Sequence, residues 1–193
     1  MALTRYYTAS TLDGFIADEH NSLDWLFTRA RDPDGFLSYG TFIADVGALA
    51  MGATSYEWIL GHEFGDEDPS AWAWPYEQPS WVFTHRDLPV VPDAPVEFVG
   101  GDVATVHVRM VEAAAGKDVW IVGGGDLAGQ FHDAGLLDEI LVQIGSVTLG
   151  QGKPLFPRRL TSPSLRLVSV RQVGPGFAEL QYEVPIEGRV VYG

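Results

Sequence analysis

The chain has 193 residues, with 12 Lys and Arg against 26 Asp and Glu, and a formal net charge of −14; this argues against a polyanion-binding surface and sets nucleic acid aside as a partner. A hydrophobic content of 46% argues against disorder and, at this length, for one well-cored domain. Cysteine is absent, which excludes disulfides, thiolate metal sites, cysteine nucleophiles and the Cys-bearing zinc site of nucleobase deaminases; no apolar run is long enough for a bilayer and no secretory leader pattern opens the chain, so a cytoplasmic protein without membrane contact is expected.

Residues 3–9 alternate loosely around Tyr6, Tyr7 and Thr8 and read as a first strand. Periodicity lapses over residues 10–22, a structured loop, and Trp25 follows either as an anchor of that loop or as a ring closing over a ligand. Residues 36–46 carry a helical stripe with Pro33 where a helix can begin, and residues 47–52 form a short strand of small residues. Thr54 and Glu57 then have the spacing of a capping box, so a second helix starts there with its N-terminus behind a strand and a glycine. Residues 61–69 form an acidic surface loop; His62-Glu63 invites a metal, but no second histidine stands four residues on, so no metal is expected. Residues 81–84 are a strand ending in Thr84-His85-Arg86, a corner suited to a phosphate ester or simply a polar strand end. Residues 96–99 are a further strand, and Asp102 is a candidate cap for a helix through Ala115.

The central stretch is Val119-Trp120-Ile121-Val122-Gly123-Gly124-Gly125-Asp126-Leu127-Ala128-Gly129-Gln130-Phe131, which reads as strand, glycine turn and helix, with Asp126 opening the helix. The unpartnered first amides of that helix, with the glycine amides, suit a phosphate or pyrophosphate; the competing reading is a tight turn with no ligand. Residues 140–144 are a strand, residues 145–157 a glycine- and proline-rich link, and residues 165–173 and 177–184 a hairpin about Gly174-Pro175-Gly176. The fold class is therefore α/β: a three-layer α-β-α arrangement whose mixed sheet ends in an antiparallel hairpin, with one domain over residues 1–184 and a tail over 185–193.

Six segments in order carry a resemblance: Leu12-Asp13-Gly14-Phe15-Ile16-Ala17, Leu23-Asp24-Trp25-Leu26, Met51-Gly52-Ala53-Thr54-Ser55-Tyr56-Glu57, Val122-Gly123-Gly124-Gly125, Gly135-Leu136-Leu137-Asp138-Glu139 and Leu149-Gly150-Gln151-Gly152-Lys153-Pro154-Leu155-Phe156. Together they resemble the dihydrofolate reductase-like family, and within it the riboflavin-pathway pyrimidine reductase domain of the RibD C-terminal type and its stand-alone relatives. The resemblance implies an NADPH-dependent reductase, with NADH open as the alternative, and a homodimer. It implies that Val122, Gly123, Gly124, Gly125, Asp126 and Leu127 approach the cofactor pyrophosphate, with a cis peptide between Gly123 and Gly124. It implies further that Gly52, Thr54 and Ser55 face the dinucleotide from the other side, that Thr84, His85 and Arg86 hold the adenosine end and its 2′-phosphate, and that Asp13, Ala17 and Trp25 lie near the nicotinamide and substrate.

Two departures bear on this. Ala53 stands where the resembled cofactor helix often has a basic residue, so a preference for NADPH rests on Arg86 and its neighbours. The helix after the covering loop presents Phe36, Leu37, Tyr39 and Phe42, with Asp32 and Asp34 outside the stripe, so an acid to protonate a pterin is missing and a pocket lined by Tyr39 and Phe42 suits another flat heterocycle. The expected reaction is hydride transfer to a small heterocycle such as a riboflavin-precursor pyrimidine, the proton coming from water or Asp13, whose competing role is to brace the loop. A substrate phosphate would draw on Arg29, Arg31, Lys153 or Arg158. Competing readings are a nucleotide-binding protein without catalysis, dihydrofolate reduction proper, and a Rossmann domain from the loose Gly123-x-Gly125-x-x-Ala128 match, the last opposed by its late position in the chain.

Overall fold

The structure, a computed structural model, describes residues 2–27, 33–65 and 67–185, with the backbone alone over 33–38. Its elements run β1 (Thr4–Thr11), β2 (Phe15–Ala17), α1 (Asp24–Phe27), α2 (Pro33–Ala44), β3 (Val46–Gly52), α3 (Ala53–Phe64), β4 (Ser80–Phe83), β5 (Val96–Val99), α4 (Val103–Ala113), β6 (Asp118–Gly123), α5 (Gly125–Asp133), β7 (Glu139–Gly145), β8 (Lys153–Pro154), β9 (Arg166–Val173) and β10 (Phe177–Glu183).

Eight strands form one sheet in the order β5-β4-β3-β6-β1-β7-β10-β9. Its first six strands are parallel, and β10 and β9 add an antiparallel edge. Parallel strands need helical crossovers on both faces, which is why β3 and β6 read as nearly continuous apolar runs. On one face α4 and α5 bury Val103, Val106, Met110, Leu127 and Phe131 against Tyr6, Ala48 and Ile121. On the other, Tyr56, Ile59 and Leu60 of α3 and Phe42 of α2 cover Tyr7, Leu49, Met51 and Trp120. The mixed sheet with its closing hairpin is the architecture expected from the sequence.

Several expected details differ. The stripe placed over 36–46 is a helix over Pro33–Ala44, because Val46 already belongs to β3. The loop expected over residues 10–22 contains β2, which pairs with β8 to make a separate two-stranded ribbon. Asp102 is the N-cap of α4 but its carboxylate makes no capping bond and reaches the Thr105 hydroxyl instead. Thr54 and Glu57 form no capping box: α3 begins at Ala53 with Gly52 as its cap residue and no side-chain cap, and Glu57 pairs with Arg86. Asp32, Arg29 and Arg31, the side chains of Asp34, Phe36 and Leu37, and the tail from residue 186 lie outside the described residues.

Candidate functional site

β1, β6 and β3 are neighbours in the sheet, and the chain leaves the carboxyl ends of β6 and β3 directly into α5 and α3. In open α/β sheets ligands sit in the crevice beyond such ends. A cavity of about 510 Å³ lies here, lined by Thr8 and Ala9 of β1, Thr54 and Ser55 at the start of α3, and Val122, Gly123, Gly124, Gly125 and Asp126 where β6 passes into α5. Ile16 and Ala17 of β2, Asn21, Leu23 and Leu26 close one side; Lys153, Pro154 and Pro157 close another; Trp58, Ile59 and Tyr76 complete it.

Neither helix N-terminus has a side-chain cap. The first amides of each helix have no acceptor within it, so both present donors, and the positive ends of their dipoles, near one space. The three glycines each serve a different need. Gly124 has φ +92, which a side chain tolerates poorly. At Gly125 a Cβ would stand 2.3 Å from the Leu155 carbonyl oxygen and 2.4 Å from that of Pro154, so the bare carbon lets the segment after β8 press against α5. At Gly123 a Cβ would stand 2.7 Å from the Ser55 hydroxyl. The Gly123–Gly124 peptide is trans, the cis peptide among the described residues being Ser162–Pro163, which corrects the expected cis bond; the positive φ of Gly124 makes the turn. Asp126 does not cap α5 but sits in its first turn, where it accepts hydrogen bonds from Gln130 and Arg158 that, in that order, hold its carboxyl below the usual range.

Ala17, Thr54, Ser55, Val122, Gly123, Gly124, Gly125 and Asp126 thus share one cavity. The other expected cofactor residues do not line it. Gly52 is the cap residue beneath, and Leu127 is buried in the core. Thr84, His85 and Arg86 form a separate corner after β4: the Thr84 hydroxyl accepts from the Arg86 amide at 2.9 Å, and the Arg86 guanidinium holds both oxygens of Glu57 at 3.0 and 2.8 Å.

The three residues expected at the reacting centre also stand outside the cavity. The Asp13 carboxylate accepts from the Thr11 hydroxyl at 2.5 Å and from the amides of Leu149 and Gly150 at 3.0 and 2.7 Å. The Thr11 bond first, and the amides with it, lower its pKa, so it fastens the β1–β2 turn to the 146–152 segment and is a poor acid. Trp25 is buried, its Nε1 donating to the Ile16 carbonyl at 3.3 Å; it anchors the loop, and its neighbours Leu23 and Leu26 reach the cavity. Tyr39 lies edge-on to Trp120 at 5.9 Å and hydrogen-bonds Tyr76, while Phe42 is buried against Tyr7 at 4.4 Å, so neither lines the pocket expected of them. The cavity's aromatic side chains are instead Trp58 and Tyr76. Burial above all, with Tyr39 and Glu63, pushes the Tyr76 hydroxyl well up. Phe27 of α1 stacks on Trp58 at 5.6 Å and His62 at 4.9 Å, which joins the covering loop to α3 and gives His62 a packing role. No group of three His, Cys, Asp or Glu able to hold a metal occurs among the described residues.

The chain belongs to the RibD C-terminal domain family, whose model matches residues 58–178. Two uncharacterized proteins of Bacillus subtilis (strain 168) resemble it closely in extent: YyaP is 28% identical over 178 residues, covering 90% of each chain, and YwjB is 28% identical over 173 residues, covering 89% of this chain and 92% of that one. Among solved structures, a protein of Shewanella sp. PV-4 named for riboflavin biosynthesis superimposes with a TM-score of 0.74 at 25% identity, over 95% of this chain and 98% of the other. The Thermotoga maritima diaminohydroxyphosphoribosylaminopyrimidine deaminase/5-amino-6-(5-phosphoribosylamino)uracil reductase gives a TM-score of 0.64 at 17% identity, over 94% of this chain and 56% of that one. Dihydrofolate reductase of Enterococcus faecalis gives 0.61 at 12% identity, over 94% and 95%. The fold is therefore dihydrofolate reductase-like. No helix among the described residues is long and apolar enough to cross a membrane.

Proposed function

We propose that this chain is a reductase dependent on a reduced nicotinamide dinucleotide, NADPH with NADH as the alternative, acting on a small flat heterocycle of the riboflavin-precursor pyrimidine kind. The observation that carries the reading is the convergence of two uncapped helix N-termini, those of α3 and α5, on one cavity at the carboxyl ends of parallel strands. The residues fit such a cofactor: Gly123 and Gly124 leave bare main chain on the cavity wall, Thr54 and Ser55 add hydroxyls, and the volume lies within the range of about 300–1,000 Å³ common for ligand pockets. When bound, the reduced nicotinamide supplies the hydride.

The chain's own part is to bind, orient and exclude water. The α3 and α5 amides would hold the diphosphate, Ile16, Ala17, Leu23 and Leu26 would keep water from the reacting face, and Thr8 and Tyr76, which line the cavity, would offer hydroxyls to a heterocycle. Asp126 is the one carboxylate among the described lining residues and is held by Arg158 and Gln130, and Asp13 is tied in its turn, so neither carboxylate is the proton donor and water is the proposed source. A homodimer belongs to the proposal: β9 is the outermost strand and exposes Leu167, Val168 and Val170, the kind of edge that proteins cover by pairing. Light scattering of the purified chain at twice the monomer mass supports it, and a monomer removes it.

The test is titration of tryptophan fluorescence with NADPH, Trp58 being in the cavity wall, followed by NADPH oxidation in the presence of 5-amino-6-(5-phosphoribosylamino)uracil or dihydrofolate. Quenching with turnover of the pyrimidine supports the reading. Quenching without turnover of either makes the chain a nucleotide-binding protein without catalysis, and no quenching by NADPH or NADH refutes the dinucleotide site.

A further inference from the structure

Lys153 is the one cationic side chain among the described residues that line the cavity. The chain has 26 acidic residues to 12 basic ones, and Arg158, whose neighbour Pro157 lines the cavity, is paired with Asp126 and Asp133. Among the described residues none pairs with the Lys153 ammonium group. Its backbone is fixed on two sides. Lys153 pairs in register with Ala17, another cavity residue, across the β2–β8 ribbon. The carbonyls of Pro154 and Leu155, next along the chain, lie within 2.4 Å of where a Cβ on Gly125 would be, so this strand is pressed against the first turn of α5. The one carboxylate in the lining, Asp126, is already engaged by Arg158 and Gln130. Lys153, with no partner for its charge among the described residues, therefore lines the same space as two helix N-termini, whose dipole ends also favour an anion there.

We propose that Lys153 is a phosphate-binding and specificity-determining residue, which makes the cavity select phosphorylated ligands over their unphosphorylated counterparts. The proposal rests on the cavity being the ligand site described above. The phosphate belongs either to the diphosphate of a dinucleotide or to a phosphorylated heterocyclic substrate. Lysine suits this role as a mobile point charge that follows a phosphate without demanding one bidentate geometry.

The full-length chain and its Lys153→Met and Lys153→Arg variants are titrated with NADPH, uridine 5′-monophosphate and uridine, read by tryptophan quenching and calorimetry. Lys153→Met is expected to weaken NADPH or uridine 5′-monophosphate by about ten-fold or more, as for loss of a charge-assisted hydrogen bond, and to leave uridine within about two-fold. Lys153→Arg keeps the affinity within about three-fold, and the affinity of the parent chain falls more steeply with salt than that of Lys153→Met. Loss for NADPH assigns the phosphate to the dinucleotide, loss for uridine 5′-monophosphate to the substrate, and either supports the proposal. Lys153 is exposed, so Lys153→Met should melt within about 2 °C of the parent, which separates lost binding from lost folding. If the parent binds NADPH and Lys153→Met binds both phosphorylated probes equally well, Lys153 has no such role and the dinucleotide reading stands. If the parent binds neither NADPH nor NADH, that reading falls and the Lys153 proposal with it.

Discussion

The hydroxyl of Ser55 lies 2.7 Å from the point that a Cβ on Gly123 would occupy, so the glycine turn after β6 and the first turn of α3 are in contact across the cavity floor. Two helices from different crossovers thereby bring their N-termini to one place. The same relationship separates the consequences of adding a methyl group at three successive glycines.

Gly123→Ala meets only the movable end of a serine, so stability should change by less than about 1 kcal/mol while the methyl group occupies the cavity floor and dinucleotide affinity falls. Gly124→Ala must hold a side chain at φ +92 and should cost about 1–2 kcal/mol as well as affinity. Gly125→Ala meets two backbone carbonyls that cannot rotate away and should cost more than either, about 2–4 kcal/mol. Denaturant melts of the three variants check the order; equal costs at 123 and 125 would contradict the packing described.

Asp13 is a fastening residue, and its pKa is lowered by Thr11 first and then by the Gly150 and Leu149 amides. A carboxyl whose folded pKa lies below its unfolded value of about 3.9 stabilises above that value and loses the contribution as pH falls through the lower folded one. Asp13→Asn should therefore lower the melting temperature at neutral pH, and the gap to the parent should close in strongly acidic solution. A variant that melts like the parent at neutral pH would show that the turn does not depend on the carboxylate.

His107 offers a second pH handle, remote from the cavity. Its Nε2 lies 2.7 Å from the Thr4 hydroxyl, and burial lowers its pKa while Asp138 pulls the other way. With the folded pKa below the unfolded value of about 6.5, stability is full above that value and declines as pH drops through it toward the folded one. Melting temperatures of the parent between about pH 8 and pH 5 should fall more steeply than those of His107→Gln. Parallel curves would contradict the burial effect.

Glu57 governs the corner after β4. Arg86 would meet a 2′-phosphate in competition with Glu57, whose own charge repels one, and Ala53 brings no replacement cation. Glu57→Gln should thus raise the ratio of NADPH to NADH affinity several-fold, by roughly 1 kcal/mol, as for an exposed charge pair. An unchanged ratio in fluorescence titrations would place this corner outside the cofactor site.

Much of this was legible in the sequence wherever an element buries one face or is buried on two. The runs of β3 and β6, the stripe of α4 and the Gly174-Pro175-Gly176 hairpin declare themselves because burial imposes a period. The β2–β8 ribbon did not, since strands of three and two residues have no period to detect. Glu57 misled for a different reason: its spacing from Thr54 is local, but the partner it takes, Arg86, is 29 residues away. Tyr39 and Phe42 share a helical stripe, and a stripe cannot distinguish a core contact with Trp120 from a cavity wall. Trp58 and Tyr76 enter the cavity through tertiary packing that leaves no mark on neighbouring residues, and the same packing is what sets Lys153 apart from Arg158 among the basic candidates for a phosphate.

The central claim is that the space between the starts of α3 and α5 receives a dinucleotide diphosphate, and a crystal structure of the chain with NADPH or NADH tests it most directly. The account predicts diphosphate oxygens within about 2.7–3.2 Å of main-chain N–H groups in the first turn of α5, with the nicotinamide toward Ala9 and Ala17. A dinucleotide seated elsewhere, with that first turn facing only water, would contradict it.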